Sequence, residues 1–545
     1  MKKILFIALA VLLAGCNAVD LNPGNKYDVS FGVKTEANAN LYLNSFYPII
    51  ANFGQFGSNA IGGSNSSMSD GLTDILKYSS IAEGAGDPNL IMTVAGKQSV
   101  SQNYFDCWTT CYGWIRRINE FLSNLDGSQL KDNGRLRAEA LFFRSYCYFL
   151  IMRSHGSVAD DLGAILYTDI SQMTSALKDT ERSSVSKTWD QIYEDVKFAA
   201  ENLPEPGSAA GRLDCYAAYA LMAREMLYAG RYDKAKEAAE KIIGSTRYEL
   251  DPDYSNIFTG NSSEVILAYK YAVRQLTHSF DQKYSQPGDV CLSGSYGSGY
   301  AGPTQEFVDS FDNADGTAFD PSDASKRFIT NANVGGRDPR LAASVLYNGA
   351  IWKGRALECC EGGIDQKYFP YGSYKTPGNS ITGYYMRKLL DESNNDYVRD
   401  GSYQPWIEFR YAEIQLIYAE CLAHEEDFTG AFKVVNDLRK VRFGRDDVFT
   451  APITDWESAL DVILKERAVE LCYEGHRFWD LRRTGRAAAV LDGKKYTGVL
   501  WHADGTCESV SCDMGAHKYP ERFDRFPLPQ SEISNNKLIK QNSGW

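Results

Sequence analysis

Residues 454–485, TDWESALDVILKERAVELCYEGHRFWDLRRTG, join a well-specified helix to a dense cluster of charge and aromatic rings. Thr454 and Glu457 have the T-x-x-E spacing of a capping box. Leu460, Ile463, Leu464, Ala468 and Leu471 then recur with helical period until Gly475 supplies a stop. The first half therefore predicts a core-facing helix. The second half crowds Glu474, His476, Arg477, Asp480 and Arg482 around Phe478 and Trp479. One histidine among acids and arginines, with no nucleophile and no metal-ligand spacing, reads as a buried ion-pair network, which gathers the same residue types as a catalytic centre.

Working outward, apolar residues recur at helical spacing over 34–47, over 104–125 with a stripe of Trp108, Tyr112, Ile115, Ile118 and Leu122, and over 136–155. Segments 189–203, 213–228 and 232–243 predict helix–turn–helix units, with Ala235, Ala238 and Ala239 where close packing needs small side chains. Helices return over 410–423, 429–441 and 454–474. This is a tetratricopeptide-like pattern. Between about 251 and 404, Gly, Ser, Asn, Asp and Pro become dense and helical periodicity fades; within it, residues 265–269 (VILAY) predict a short buried strand.

The run E-R-x-x-E-L-x-x-E-G-H-R-F-W-D-L-R-R resembles the C-terminal signature of the SusD/RagB-like outer-membrane lipoproteins, nutrient-capturing partners of TonB-dependent transporters in Bacteroidetes. Segments 182–204, 223–243, 303–311, 337–341, 408–422 and 526–545 resemble further family blocks, in family order. The resemblance implies a mainly α fold. Helix pairs would form a right-handed tetratricopeptide-like superhelix that supports a large, irregular, loop-rich ligand-binding insertion with a few short strands. It implies one domain over 34–545: helical repeats at about 34–250 and 405–485, the insertion at about 251–404 and a C-terminal block at 486–545.

Lys2 and Lys3, an apolar run over 4–13, and Leu13-Ala14-Gly15-Cys16 read as a secretory signal (1–15) ending in a lipobox. The Cys16 thiol would take up diacylglycerol, and residues 16–33 would form the lipidated N-terminus and tether. Multiple acyl chains on one residue give stable anchoring. The resemblance places the anchor in the outer membrane, with the protein exposed at the cell surface.

A formal net charge of −13 argues against nucleic acid and anionic membrane surfaces as partners. With 34 Tyr, 26 Phe and 9 Trp, flat rings with polar tips are abundant, suited both to helix packing and to the C–H faces of sugars. The 12 cysteines show no disulfide framework and no zinc spacing; Cys507 and Cys512 have the spacing to close a small loop, while Cys147, Cys215, Cys421 and Cys472 fall in helical patterns as small buried residues.

Gly297–Gly302 satisfies G-x-G-x-x-G but precedes Pro303 and opens no predicted helix, so it reads as a loop. Asp312, Asn313, Asp315 and Gly316 lack the first and last ligands of a calcium loop and read as a turn. No H-E-x-x-H or G-x-S-x-G occurs, and no metal or cofactor is expected. The resemblance draws the ligand site from an early loop and the central insertion. Candidates are Asp70 and Asp74 in SDGLTD, Tyr296 and Tyr300 in SGSYGSGYAGP, and Trp352, Lys353 and Arg355 in YNGAIWKGR. The implied function is non-catalytic capture of glycan and delivery to a SusC-like TonB-dependent transporter. An exported glycan-active hydrolase, or a family member serving peptide import, stands as the alternative.

Overall fold

The computed structural model describes residues 33–54, 68–78, 98–101, 103–131, 133–174, 179–207, 211–366, 380–513 and 515–545. The signal sequence, Cys16 and all of the tether except Val33 lie outside them.

The described scaffold runs α1 (Glu36–Asn44), α2 (Trp108–Asp126), α3 (Asn133–His155), α4 (Val185–Asn202), α5 (Cys215–Tyr228), α6 (Tyr232–Gly244), α7 (Tyr411–His424), α8 (Phe428–Phe443), α9 (Trp456–Glu470) and α10 (Arg477–Arg483). Side-chain caps fix several starts: Thr35, Ser184 and Asp214 each accept a first-turn N–H. Helix α3 is buried on all sides. From α2 to α8 each helix packs on the next, and α7 also meets α9, which builds the tetratricopeptide-like superhelix. Ala235, Ala238 and Ala239 are fully buried where α6 lies between α5 and α7, because a methyl group is all that this approach leaves room for.

Helix α9 corrects two expectations. Its cap is Asp455, not Thr454: the Asp455 carboxylate accepts the Ser458 N–H and the Ser458 hydroxyl accepts the Asp455 N–H, while Glu457 turns outward to Arg486. The helix also ends at Glu470, before Gly475. Tyr473 and Gly475 take left-handed φ of 64° and 81°, and this turn leads into α10.

The insertion forms antiparallel two-stranded ladders, two of them with strands outside it: β1 (Leu76–Tyr78) with β3 (Ala301–Pro303), β2 (Val265–Tyr269) with β8 (Trp406–Arg410), β4 (Val345–Leu346) with β7 (Tyr385–Met386), and β5 (Ile351–Trp352) with β6 (Arg355–Ala356). Downstream, β9 (Thr497–Trp501) pairs with β10 (Cys507–Ser511). Only Ile266 of β2 is fully buried, so the buried strand expected there is half-exposed, as a ladder of two strands leaves β2 an open edge. The glycine loop runs into β3, not a helix. Asp312 is held by Arg439 and Lys465, ahead of a turn at Gly316 with φ 85°. The cysteines from Cys107 onward are all free thiols, Cys507 and Cys512 included. Among the described residues no helix is long and apolar enough to cross a membrane.

Candidate ligand site

The two acids of the early loop are bound internally. Asp70 has no exposed surface, and one of its carboxylate oxygens accepts the Gly475 N–H at 3.1 Å. Burial pushes its pKa up to about 7. Asp74 receives a forked pair of hydrogen bonds from Arg477 at 3.0 and 2.7 Å. These acids dock the early segment onto the C-terminal motif, so neither is left to meet a ligand, contrary to the expectation from SDGLTD.

The rest of that motif takes part in two buried ionic clusters. Arg410 binds Glu264, Glu470 and Glu474, and Glu474 also holds Lys388. Asp480 lies between Arg467 at 2.7 Å and Arg483 at 2.8 Å, and Arg483 continues to Glu420. Burial raises the Asp480 pKa, but its two arginines outweigh that and hold it below the usual carboxylate range. Burial, reinforced by surrounding arginines, keeps His476 neutral, 3.9 Å from Glu413. Arg482 donates to the carbonyls of Arg153 and Asp524.

Tyr300 is half-buried, its ring edge-on to Tyr78 and Tyr284 at 5.5 and 5.6 Å. It packs beneath its own loop beside the β1–β3 ladder.

The other candidates converge. In the β5–β6 hairpin Trp352 pairs with Arg355 across Lys353 and Gly354, both at positive φ (46° and 78°), the backbone that a two-residue turn of the tightest hairpins demands. The Lys353 ammonium reaches both carboxylate oxygens of Asp289 at 3.1 Å and the Asn394 carbonyl at 2.6 Å. Arg355 forks onto Asp365 at 2.6 and 2.7 Å, and Asp365 also accepts the Gly288 N–H. A Cβ at position 288 would overlap the Asp365 carboxylate and the Arg355 guanidinium, so glycine is required. The Gly297 N–H donates to the Asp289 carbonyl, which brings Tyr296, 48 % exposed, to the same assembly. Arg355 is therefore an internal strut and Tyr296 an exposed ring. Trp352, only 1 % exposed, is not the open stacking platform expected of it.

Trp352 instead forms a wall of a cavity of about 500 Å³, with Phe258, Arg387, Asp391, Tyr403 and Gln404. Two polar atoms among these lining side chains have no hydrogen-bond partner among the described residues: the donor Trp352 Nε1 and the acceptor Gln404 Oε1. The Gln404 amide nitrogen donates to Asp281 and to the Leu389 carbonyl, so the amide is fixed with its oxygen left over. Burial raises the Asp281 pKa to about 6. A buried orphan donor or acceptor costs roughly 1–3 kcal/mol until a partner arrives. A hydroxyl group both donates and accepts, and aromatic walls beside polar side chains suit a ring bearing several of them. Phe258, Arg387, Asp391, Tyr403 and Gln404 were not among the sequence candidates. They come from separate segments and share no local motif; the nearest signal was the aromatic-rich YQPW before β8.

The folded chain resembles proteins of known kind. Residues 263–545 match the family model described as the SusD family, and residues 38–227 match one described as starch-binding, associating with outer membrane. The starch-binding protein SusD of Bacteroides thetaiotaomicron is 25 % identical over 470 residues, covering 79 % of this chain and 76 % of its own. A SusD-like protein crystal structure from Bacteroides fragilis superposes with a TM-score of 0.77 at 27 % identity, covering 95 % of this chain and 99 % of that one. Surface glycan-binding protein A of B. thetaiotaomicron, in complex with laminarihexaose, superposes with a TM-score of 0.66 at 21 % identity over 93 % of this chain and 100 % of that one. With its C-terminal half on the family model and its superhelix on these structures, the chain belongs to the SusD family.

Proposed function

We propose that this protein is a non-catalytic glycan-capture lipoprotein of the outer membrane, anchored at Cys16, that binds oligosaccharide in the Trp352–Tyr403–Gln404 cavity and passes it to a SusC-like TonB-dependent transporter. The observation that carries the reading is the cavity itself, walled by the rings of Trp352, Phe258 and Tyr403 beside the polar side chains of Arg387, Asp391 and Gln404. The laminarihexaose complex of a protein with this fold supports a glycan as the ligand. A site with few fixed polar contacts binds weakly and reversibly, which suits a protein that must release its cargo.

The test is affinity electrophoresis of the soluble chain from residue 17 through gels cast with a panel of polysaccharides, with analysis of reducing ends in the same mixtures. Retardation that Tyr403→Ala reduces, without new reducing ends, is the expected result. Release of shorter sugars would make the protein a hydrolase, and binding indifferent to Tyr403→Ala would remove the cavity from the proposal.

A further inference from the structure

A second cavity, of about 540 Å³, opens between the C-terminal end of α3, the start of α4 and α10, walled by the rings of Trp189, Tyr228 and Trp479. Four arginines line it, Arg153, Arg482, Arg483 and Arg525, along with Glu521 and Asp524, and the guanidinium groups of the first two lie over the same Trp479 ring: Arg153 at 4.3 Å and Arg482 at 5.0 Å from the centroid. Several interior arginines are matched with carboxylates, Arg144 with Asp195, Arg224 with Glu408 and Glu413, Arg467 with Asp480, whereas Arg182 and Arg337 are spread over backbone carbonyls. Arg153 and Arg482 have no carboxylate within ion-pair distance among the described residues. Arg482 donates only to the carbonyls of Arg153 and Asp524, and Arg153 donates from its side chain to no acceptor there. The Nε atoms of both are buried and unpartnered among the described residues. Burial, with Arg153 alongside, lowers the pKa of Arg482 even though Tyr519 and Asp524 act to raise it.

The neighbouring charges are already committed. Arg483 is neutralised by Glu420 and Asp480. Glu521 serves Arg525, which also faces Asp160 at 3.7 Å. The Asp524 carboxylate accepts the Tyr519 hydroxyl. Two guanidinium groups beside a flat apolar wall suit a small anion, since a guanidinium binds a planar or tetrahedral oxyanion through paired N–H donors.

We propose that this cavity is a second saccharide site, selective for sugars that carry an oxyanion, a uronate carboxylate or a sulfate ester, held by Arg153 and Arg482 with the ring against the aromatic wall. The saccharide part rests on the glycan-binding function proposed above; the anion selectivity rests on the two arginines alone.

The test is isothermal titration of the full soluble chain with hexagalacturonate, with a sulfated galacto-oligosaccharide and with neutral laminarihexaose, each repeated with Arg153→Gln and with Tyr403→Ala. At least one anionic oligomer binds the parent protein, and Arg153→Gln weakens it about tenfold while Tyr403→Ala leaves it unchanged, the loss expected for one charge-assisted contact. The preferred anion separates the carboxylate source from the sulfate source. Circular dichroism establishes that Arg153→Gln is folded; if it is not, Arg153→Lys, which keeps the charge and loses the fork, takes its place with the same expected weakening. Failure of both anionic oligomers to bind, or binding undiminished in the Arg153 variant, overturns the proposal. Loss of neutral-glycan binding alone strikes only the Trp352 cavity.

Discussion

Arg477 grips both carboxylate oxygens of Asp74, at 3.0 and 2.7 Å, across 403 residues of chain. This contact and the Gly475–Asp70 hydrogen bond tie the early segment to the C-terminal motif. Asp74→Ala is therefore expected to act on stability, not on ligand affinity. The loss of a partly buried forked ion pair is about 1–3 kcal/mol, read as a lower urea midpoint with unchanged glycan titration. A folded variant of native stability that no longer binds glycan would return Asp74 to the ligand site.

Asp480 is bound by two arginines and is 2 % exposed. Asp480→Ala leaves both guanidinium groups without it in the interior, and removing one partner of such a group costs about 3–5 kcal/mol. Chemical denaturation should show this cost. A variant as stable as the parent that has lost only ligand binding would overturn the structural role of the network.

Asp70 makes stability fall as pH rises. Its folded pKa, about 7, lies above the unfolded value of about 3.9, so between those values the folded state keeps a proton that the unfolded state has released. Its contribution is fully present below about pH 4 and is lost as pH climbs through 7. Asp70→Asn should flatten stability over that window in urea melts at stepped pH; a parallel, merely shifted curve would assign the slope elsewhere.

Asp513 works in the opposite direction. Burial raises its pKa, but Lys77 and His517 together hold it down at about 2, so its stabilisation is present above about pH 4 and fades as acid approaches 2. Asp513→Asn is expected to lose part of the acid-limb transition, measurable by fluorescence between pH 4 and 2, and an unchanged limb would refute this assignment.

At the glycan cavity, Trp352→Phe keeps a ring but removes the Nε1 donor, and Tyr403→Ala removes a half-buried wall. Each should weaken glycan binding about five- to tenfold, the worth of one hydrogen bond or one stacked ring. Calorimetric titration decides it, with melting of Tyr403→Ala expected within about 2 °C of the parent because that side chain is only partly packed.

The helices were legible because their periodicity is local. The stripe from Trp108 to Leu122 and the alanines of α6 lie where the spacing put them, within a few residues at each end. The cap of α9 lies one position beyond the one the spacing predicts because Thr454 and Asp455 are both good caps, and only backbone geometry selects between them. The ligand candidates fared differently. Trp352, Lys353, Arg355 and Tyr296 do converge, but around Asp289 and Asp365, which no spacing rule connects to them.

By itself, then, the sequence determined the helical scaffold, its family signature and the charged motif at 474–483, because each is written within a turn or two of helix. Tertiary structure alone decided which acids are internal struts, which aromatic rings face a cavity and which arginines lack a counter-charge. Ion pairs such as Arg477–Asp74 and the walls of both cavities join segments far apart in the chain, and their meeting is fixed by how whole helices and ladders pack, not by any residue's neighbours.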